Sequence, residues 1–349
     1  MTSGTMITGT LEYLRRPLIA NITPGMKVLI VTDTAHDPRV WQVIMATVTE
    51  LGADPTLALF DPRPADYYDP PQAVCEAMKR VDVNILVAST GMLHSPANMN
   101  AMNEAGVPCI CMDGGMTLEM FQSGAVTEDQ RELAIRQHYV ATNIFGQNAK
   151  ECRVTSKHGT DLTYRIEGRV RIPKLPGNDF VPYKMVDATK SHIKRKRFLF
   201  PNGEFNIPPI EDSANGKLVI DLCMHNLGAL KSPIELTIEK GRIVKIEGGA
   251  DAFTLRTYLA TYGDKNAYLC PAEASVGINS KALIRGVQRE DKNILGSMHF
   301  GLGTNIDVGG TVMSNIHMDG VILEPTLYVD GDKRIENGKF LRPVDGPLQ

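Results

Sequence analysis

The last third of the chain concentrates residue types that hold metal ions or move protons. Glu273 follows Cys270-Pro-Ala and leads into an apolar stretch; His299 stands in Gly296-Ser-Met-His-Phe-Gly-Leu-Gly303; Asn315-Ile-His317-Met-Asp319-Gly320 follows. In a strand, residues i and i+2 project from one face, so His317 and Asp319 can meet one cation. Neutral imidazole with ionised carboxylate suits zinc, manganese or iron. The ordinary alternative is a hydrogen-bonded pair at a strand end. Glu273 is expensive to bury unless paired or metal-bound. His299 has the small neighbours a ligand needs, yet a lone histidine is commonly a core residue. Glu204, in Pro201-Asn-Gly-Glu-Phe205, reads either as a further ligand or as turn chemistry. Four segments combine a ligand-type residue with glycine or proline, and glycine lets backbone pass close to a site.

Earlier in the chain, His94 in Gly91-Met-Leu-His-Ser-Pro96 directly follows a β-rich run. Open α/β sheets bind ligands at the carboxyl ends of their strands, which makes His94 a candidate acid/base near neutral pH. The competing reading has Ser95 as a helix N-cap, Pro96 at the first helical position and His94 incidental. His36, before Asp37-Pro38, is placed analogously, and Ser156-Lys-His-Gly-Thr-Asp161 reads as a turn or as part of a cleft. Serine nucleophile chemistry is disfavoured, because the chain has no GxSxG elbow.

The elements that must position these residues fall into two parts. From residue 27 to 143, β-rich runs (Lys27–Thr32, Pro55–Phe60, Val83–Ala88, Val107–Met112) alternate with helical stretches (Arg39–Leu51, Pro71–Arg80, Asn98–Glu104, Thr127–Asn143). That alternation predicts an α/β domain with a doubly wound parallel sheet over residues 1–150. It carries neither GxGxxG nor GxxxxGK[ST], so a nucleotide site has no motif behind it. Residues 151–349 change to short alternating strands, a Lys240-Gly241 hairpin signal, one helix over Asp251–Tyr262 and glycine-rich turns. This predicts an α+β metal-binding domain.

The 349 residues are 43% hydrophobic and 22% charged, with net charge -3 and pI about 6.3. That balance fits a globular protein with a real core and gives no reason to expect a nucleic-acid or membrane partner. The basic run Lys190–Arg197 reads as a solvated loop or as an entrance for an anionic substrate. Six scattered cysteines without CxxC pairs suit a reducing compartment, and with no signal-peptide core or spanning run the expected location is the cytoplasm.

Across nearly its whole length the sequence resembles a superfamily with two branches: aminopeptidase T-like metallopeptidases and 2,5-dihydroxypyridine 5,6-dioxygenases. The marks are Asp37-Pro-Arg39, Leu93-His-Ser-Pro96, Ser156-Lys-His-Gly159 with Asp161, Glu211-Asp-Ser-Ala214 with Gly216 and Asp221, Glu239-Lys-Gly241, Val308-Gly-Gly310 and His317-x-Asp319. The peptidase resemblance implies a two-metal site at Glu204, Glu273, His299, His317 and Asp319, with a further acidic position at Glu290 or Asp291. The tyrosine expected after the first histidine is absent, since Gly303-Thr-Asn-Ile306 follows His299. The dioxygenase resemblance implies one iron on two histidines and an aspartate. His317 and Asp319 match; the first histidine falls at Glu273, leaving His299 as the other imidazole, and the active-site histidine of the first domain matches His94.

The expected function is a metal-dependent, aminopeptidase-like hydrolase of a small molecule, with zinc, manganese or cobalt. The alternative is an Fe(II) ring-cleaving dioxygenase of a hydroxylated N-heterocycle. A third reading is a catalytically inert small-ligand binding protein. A homo-oligomer is implied by the resemblance alone.

Overall fold

The computed structural model describes residues 11–169, 180–187 and 196–342. They fall into two compact units. One is Met1–Gln130 with Asp179–Asn202; the other is Arg131–Asn178 with Gly203–Gln349. The division therefore differs from a single cut at residue 150. Residues 131–150 join the second unit, and a later segment returns to the first.

In the first unit, α1 (Glu12–Asn21) precedes β1 (Lys27–Asp33), α2 (Pro38–Glu50), β2 (Asp54–Phe60), α3 (Gln72–Met78), β3 (Val83–Leu86), α4 (Pro96–Asn103) and β4 (Cys109–Cys111). β1 is buried beyond its first residue, as a continuous apolar strand inside a parallel sheet must be. β2, with Pro55, is half-exposed at the edge. Asp37 caps α2 by accepting from Arg39 N with Pro38 following, and Ser95 caps α4 in the same way with Pro96 following. The return segment adds β7 (Val186–Asp187) and β8 (Lys196–Leu199). The sheet order is β2-β1-β3-β4-β8-β7, parallel except for the β7–β8 pair. The basic run Lys190–Arg197 enters the described residues only at Lys196 and Arg197, where it begins β8.

The second unit opens with α5 (Gln130–Tyr139), which runs into a π-helical turn over Val140–Phe145. The predicted helix over Thr127–Asn143 is thus divided. Thr127 ends a separate 3₁₀ turn, Gly124–Thr127. β5 (Glu151–Thr155) and β6 (Asp161–Arg165) form a hairpin. Then come β9 (Glu204–Ile207), β10 (Asn215–Ile220), β11 (Cys223–Met224), β12 (Gly228–Ala229), β13 (Ile234–Glu239), β14 (Arg242–Gly248), α6 (Ala250–Tyr262), β15 (Ala274–Gly277), α7 (Gln288–Asp291), β16 (Met298–Gly303), β17 (His317–Ile322), β18 (Thr326–Val329), β19 (Asp332–Glu336) and β20 (Lys339–Phe340). They make two antiparallel sheets, β14-β13-β10-β6-β5-β18-β19-β20 and β12-β11-β17-β16-β15-β9.

The β13–β14 hairpin turns on Lys240 and Gly241, both at positive φ, as a two-residue primed turn requires. A Cβ at Gly241 would lie 1.7 Å from the Glu211 carbonyl oxygen, so only glycine fits. The two sheets share one core. Leu218, Ile220, Leu236 and Ile238 of the first join Phe205, Val276, Phe300, Met318 and Ile322 of the second. Each such side chain contributes roughly 1.5–3 kcal/mol by leaving water. Among the described residues, no helix is long and apolar enough to cross a membrane.

Candidate metal centre

The sheet that carries β15, β16 and β17 splits its residues by parity. Phe205, Val276, Phe300, Leu302, Met318 and Ile322 point into the shared core. The alternate positions carry the polar side chains. Cross-strand partners lie on the same face, and the register pairs Glu204 with Gly277, Ser275 with His299, Gly301 with Asp319 and Gly303 with His317. Glu273, just before β15, joins this face: Gly301 N donates to its carbonyl oxygen at 2.9 Å. Four neighbouring strands thereby bring together residues far apart in sequence.

The glycines of β16 make the room. A Cβ at Gly301 would lie 2.8 Å from Glu273 Cγ, 3.2 Å from His317 Cε1 and 3.3 Å from Asp319 Oδ1. The strand reads His299-Phe-Gly301-Leu-Gly303, and only hydrogen at 301 lets the side chains of the two flanking strands meet above it.

Hydrogen bonds then decide which atoms face the meeting point. Asp319 Oδ2 accepts from Gln288 Nε2 and lies 3.3 Å from Lys292 Nζ, which leaves Oδ1 to face His317. Glu273 Oε1 lies 3.0 Å from His299 Nε2 and 3.4 Å from Ser275 Oγ, which leaves Oε2. His317 Nδ1 is 2.9 Å from the Thr304 carbonyl oxygen. A carbonyl can only accept, so Nδ1 carries hydrogen and Nε2 turns to the site. Nε2 is 3.2 Å from Asp319 Oδ1 and 3.7 Å from Glu273 Oε2. Glu273, His317 and Asp319, all buried, thus offer ligand atoms within 4.8 Å of one another. One imidazole and two carboxylates fit a divalent zinc, manganese or iron ion.

The other two candidate ligands stand beside this trio. His299 directs Nε2 to Glu273 Oε1 at 3.0 Å, with Glu204 Oε2 3.4 Å away. Glu204 Oε2 lies 3.1 Å from Lys292 Nζ. Glu290 and Asp291 hold a loop: Glu290 pairs with Arg285 at 2.7 Å, and Asp291 accepts from the amides of Arg285 and Gly286.

The electrostatics follow from burial set against these neighbours. Burial opposes charge on His317, but Asp319 and Glu273 outweigh it and push its pKa up to about 10. Burial likewise opposes charge on His299, and the Glu273 hydrogen bond raises its pKa. Burial disfavours ionised Asp319, yet Lys292 and His317 hold its pKa well below the carboxylate range. Lys292 and His299 lower that of Glu204 against the same opposition, and Glu204 and Asp319 raise that of Lys292. In the absence of metal, protons and an ammonium serve as the cations of this face.

His94 lies in the first unit, in the loop after β3. Carboxylates pin that loop: Ser89 N and Oγ both donate to Asp33 Oδ2 at 2.8 Å, Gly91 N donates to Asp66, and Met92 N donates to Asp113. The Tyr67 ring meets His94 edge-on, with centroids 5.1 Å apart. Ser95 and Pro96 do start a helix, as the capping reading of this segment expects. His36 is buried in the turn after β1, where desolvation lowers its pKa despite Asp37 and Asp33 nearby.

Lys292, Gln288, Ser275, Gly301 and Thr304 were not among the sequence candidates. Gly301 carried a readable signal, being two residues from His299 on the same face. Lys292 sits in Gln288-Arg-Glu-Asp-Lys-Asn293, which reads as an ordinary solvated helix.

Known proteins resemble this chain in sequence and in fold. The sequence model of the 2,5-dihydroxypyridine 5,6-dioxygenase (NicX) family matches residues 12–342. A 2,5-dihydroxypyridine 5,6-dioxygenase from Pseudomonas putida is 28% identical over 158 residues, covering 42% of this chain and 45% of that relative. The alignment thus spans less than half of the relative's length. The solved 2,5-dihydroxypyridine dioxygenase of P. putida superposes with a TM-score of 0.69 at 19% identity, over 99% of this chain and 100% of that one. AmpT from Thermus thermophilus gives a TM-score of 0.60 at 14% identity, over 97% and 100%. The two structures share the fold, and the comparisons favour the dioxygenase reading over the hydrolase reading. With its matched span running almost from end to end, the chain belongs to the 2,5-dihydroxypyridine 5,6-dioxygenase family.

Proposed function

We propose that this protein is an Fe(II)-dependent dioxygenase that opens the ring of a dihydroxylated N-heterocycle. The observation that carries the reading is the buried convergence of Glu273, His317 and Asp319 in a chain matched to this family over residues 12–342. When bound on this face, divalent iron supplies the redox chemistry that joins the ring to dioxygen. Three ligands leave the remaining positions of a six-coordinate ion for substrate and oxygen.

The chain's own residues do the rest. Gln288 and Lys292 hold Asp319 Oδ2, so that Oδ1 serves the metal. His299 and Ser275 hold Glu273 Oε1, so that Oε2 serves it. Thr304 fixes the tautomer of His317. His94 is assigned proton exchange with a ring hydroxyl, a task suited to an imidazole near neutral pH. Glu273 stands where the resemblance implies a histidine.

The test is oxygen uptake by protein loaded with iron under anaerobic conditions, using 2,5-dihydroxypyridine and its ring isomers. Uptake mole for mole with ring loss, and without added reductant, is expected. His94→Ala should lower turnover by about 10²–10⁴-fold while leaving the iron content unchanged. Anaerobic turnover of aminoacyl amides, with no oxygen uptake on any ring, would restore the hydrolase reading.

A further inference from the structure

The polar face holds more ligand-type side chains than one cation needs. Glu204, Glu273, His299, His317 and Asp319 would suffice for two ions sharing carboxylates. A buried ammonium stands among them. Lys292 Nζ is 3.1 Å from Glu204 Oε2 and 3.3 Å from Asp319 Oδ2, and the lysine and glutamate side chains are 12% and 13% exposed. Asp319 Oδ2 is the oxygen of that carboxylate that does not face His317, and Glu204 Oε2 also lies 3.4 Å from His299 Nε2. Asp319 Oδ1, on the trio's side, faces His317 Nε2 at 3.2 Å.

We infer that Lys292 is a built-in second cation, occupying the place of a second metal ion and limiting the centre to one. Charge supports this. The three carboxylates set against one ammonium leave two negative charges, which one divalent ion neutralises. A second divalent ion would leave an excess of positive charge in a buried site, which is unfavourable. Space supports it too. A metal bound to Glu204 Oε2 and Asp319 Oδ2 would lie about 2.0–2.2 Å from each. An ammonium at hydrogen-bond distance from both oxygens fills that position. Glu204 is thereby the partner of Lys292, outside the metal's own ligands. This inference rests on the metal site of the proposed function, but not on the identity of the reaction.

The test uses Mn(II) as probe. It is added anaerobically to metal-free whole protein, and uptake is followed by calorimetry, elemental analysis and electron paramagnetic resonance. The unaltered protein is expected to bind about one ion, with the spectrum of an isolated Mn(II), and Lys292→Met about two, with the signature of a spin-coupled pair. Lys292→Gln, produced and purified with manganese present, gives the same reading if Lys292→Met folds poorly. Two tightly bound ions in the unaltered protein would overturn the inference and leave the metal site standing. So would either variant, folded, holding one ion with unchanged affinity. No manganese bound by the unaltered protein would overturn the site and the inference together.

Discussion

The two faces of the β9-β15-β16-β17 sheet are built from alternate residues of the same strands, yet they do opposite work. On one face Phe205, Val276, Phe300 and Met318 are buried in the core shared with the other sheet. On the other, Glu204, Glu273, His299, His317 and Asp319 are gathered together, and Asp319 Oδ1 and Glu273 Oε2 both face His317 Nε2. The apolar face stabilises the fold. The polar face holds charge where water does not reach, balanced in the metal-free chain by Lys292 and by protonated imidazole. Because the period is two, a register slip of one residue would exchange the faces and abolish both. Packing on one face therefore guarantees the aim of the ligands on the other.

Substitutions on the two faces should separate these roles. The largest effect on metal is expected from Asp319→Ala, which removes a ligand and should weaken divalent-ion binding more than about 100-fold, beyond the loss seen for supporting residues. Calorimetry on the folded variant checks it; an affinity within tenfold of the parent would break the assignment. On the apolar face, Phe300→Ala should lower stability by about 3–5 kcal/mol through transfer and cavity effects. Denaturant titration of the metal-free protein measures this, and metal affinity of the molecules that remain folded should stay near that of the parent. Gly301→Ala lies between the faces in effect. Its methyl group would press on Glu273 and His317, so metal affinity should fall by roughly 10–100-fold. Unchanged metal binding in Gly301→Ala would show that the ligands converge elsewhere.

A pH dependence gives a further, independent handle. His317 is raised from its ordinary 6.5 to about 10 in the metal-free chain. Its proton therefore stabilises the metal-free fold fully below pH 6.5, and that contribution is lost as pH rises through about 10. A metal ion must displace this proton. Affinity should thus climb about tenfold per pH unit inside that window, with proton release visible as a dependence of the binding heat on buffer. A flat affinity over the window would mean that His317 is not a ligand.

How much of this was legible follows the range of each interaction. His317-x-Asp319 was readable because i and i+2 geometry is local. Glu273 was readable because a carboxylate beside an apolar stretch needs a partner. Asp37-Pro38 and Ser95-Pro96 stated their helix starts outright. The role of His299 depends on its register with Ser275 and on Glu273 two strands' worth of sequence away, which no local pattern carries. Lys292 was hidden because a lysine in a polar helical stretch is almost always solvated, and only the tertiary fold turns it onto Glu204 and Asp319. The return of β8 to the first sheet was likewise unreadable, since the parallel pairing of Cys109–Cys111 with Arg197–Leu199 spans a long intervening stretch. Glu211 and Gly241 share in the resemblance through scaffolding: Glu211 accepts from Asn305 and Thr311, and Gly241 packs against the Glu211 carbonyl.

The central claim, that this polar face serves oxygen chemistry, is tested most directly by isotope labelling. Iron-loaded protein is given a dihydroxypyridine under ¹⁸O₂ in ordinary water, and the ring-opened product is weighed by mass spectrometry at early times. Incorporation of both atoms from dioxygen is the result the account predicts. Product whose new oxygen comes only from water would contradict it and mark the centre as hydrolytic.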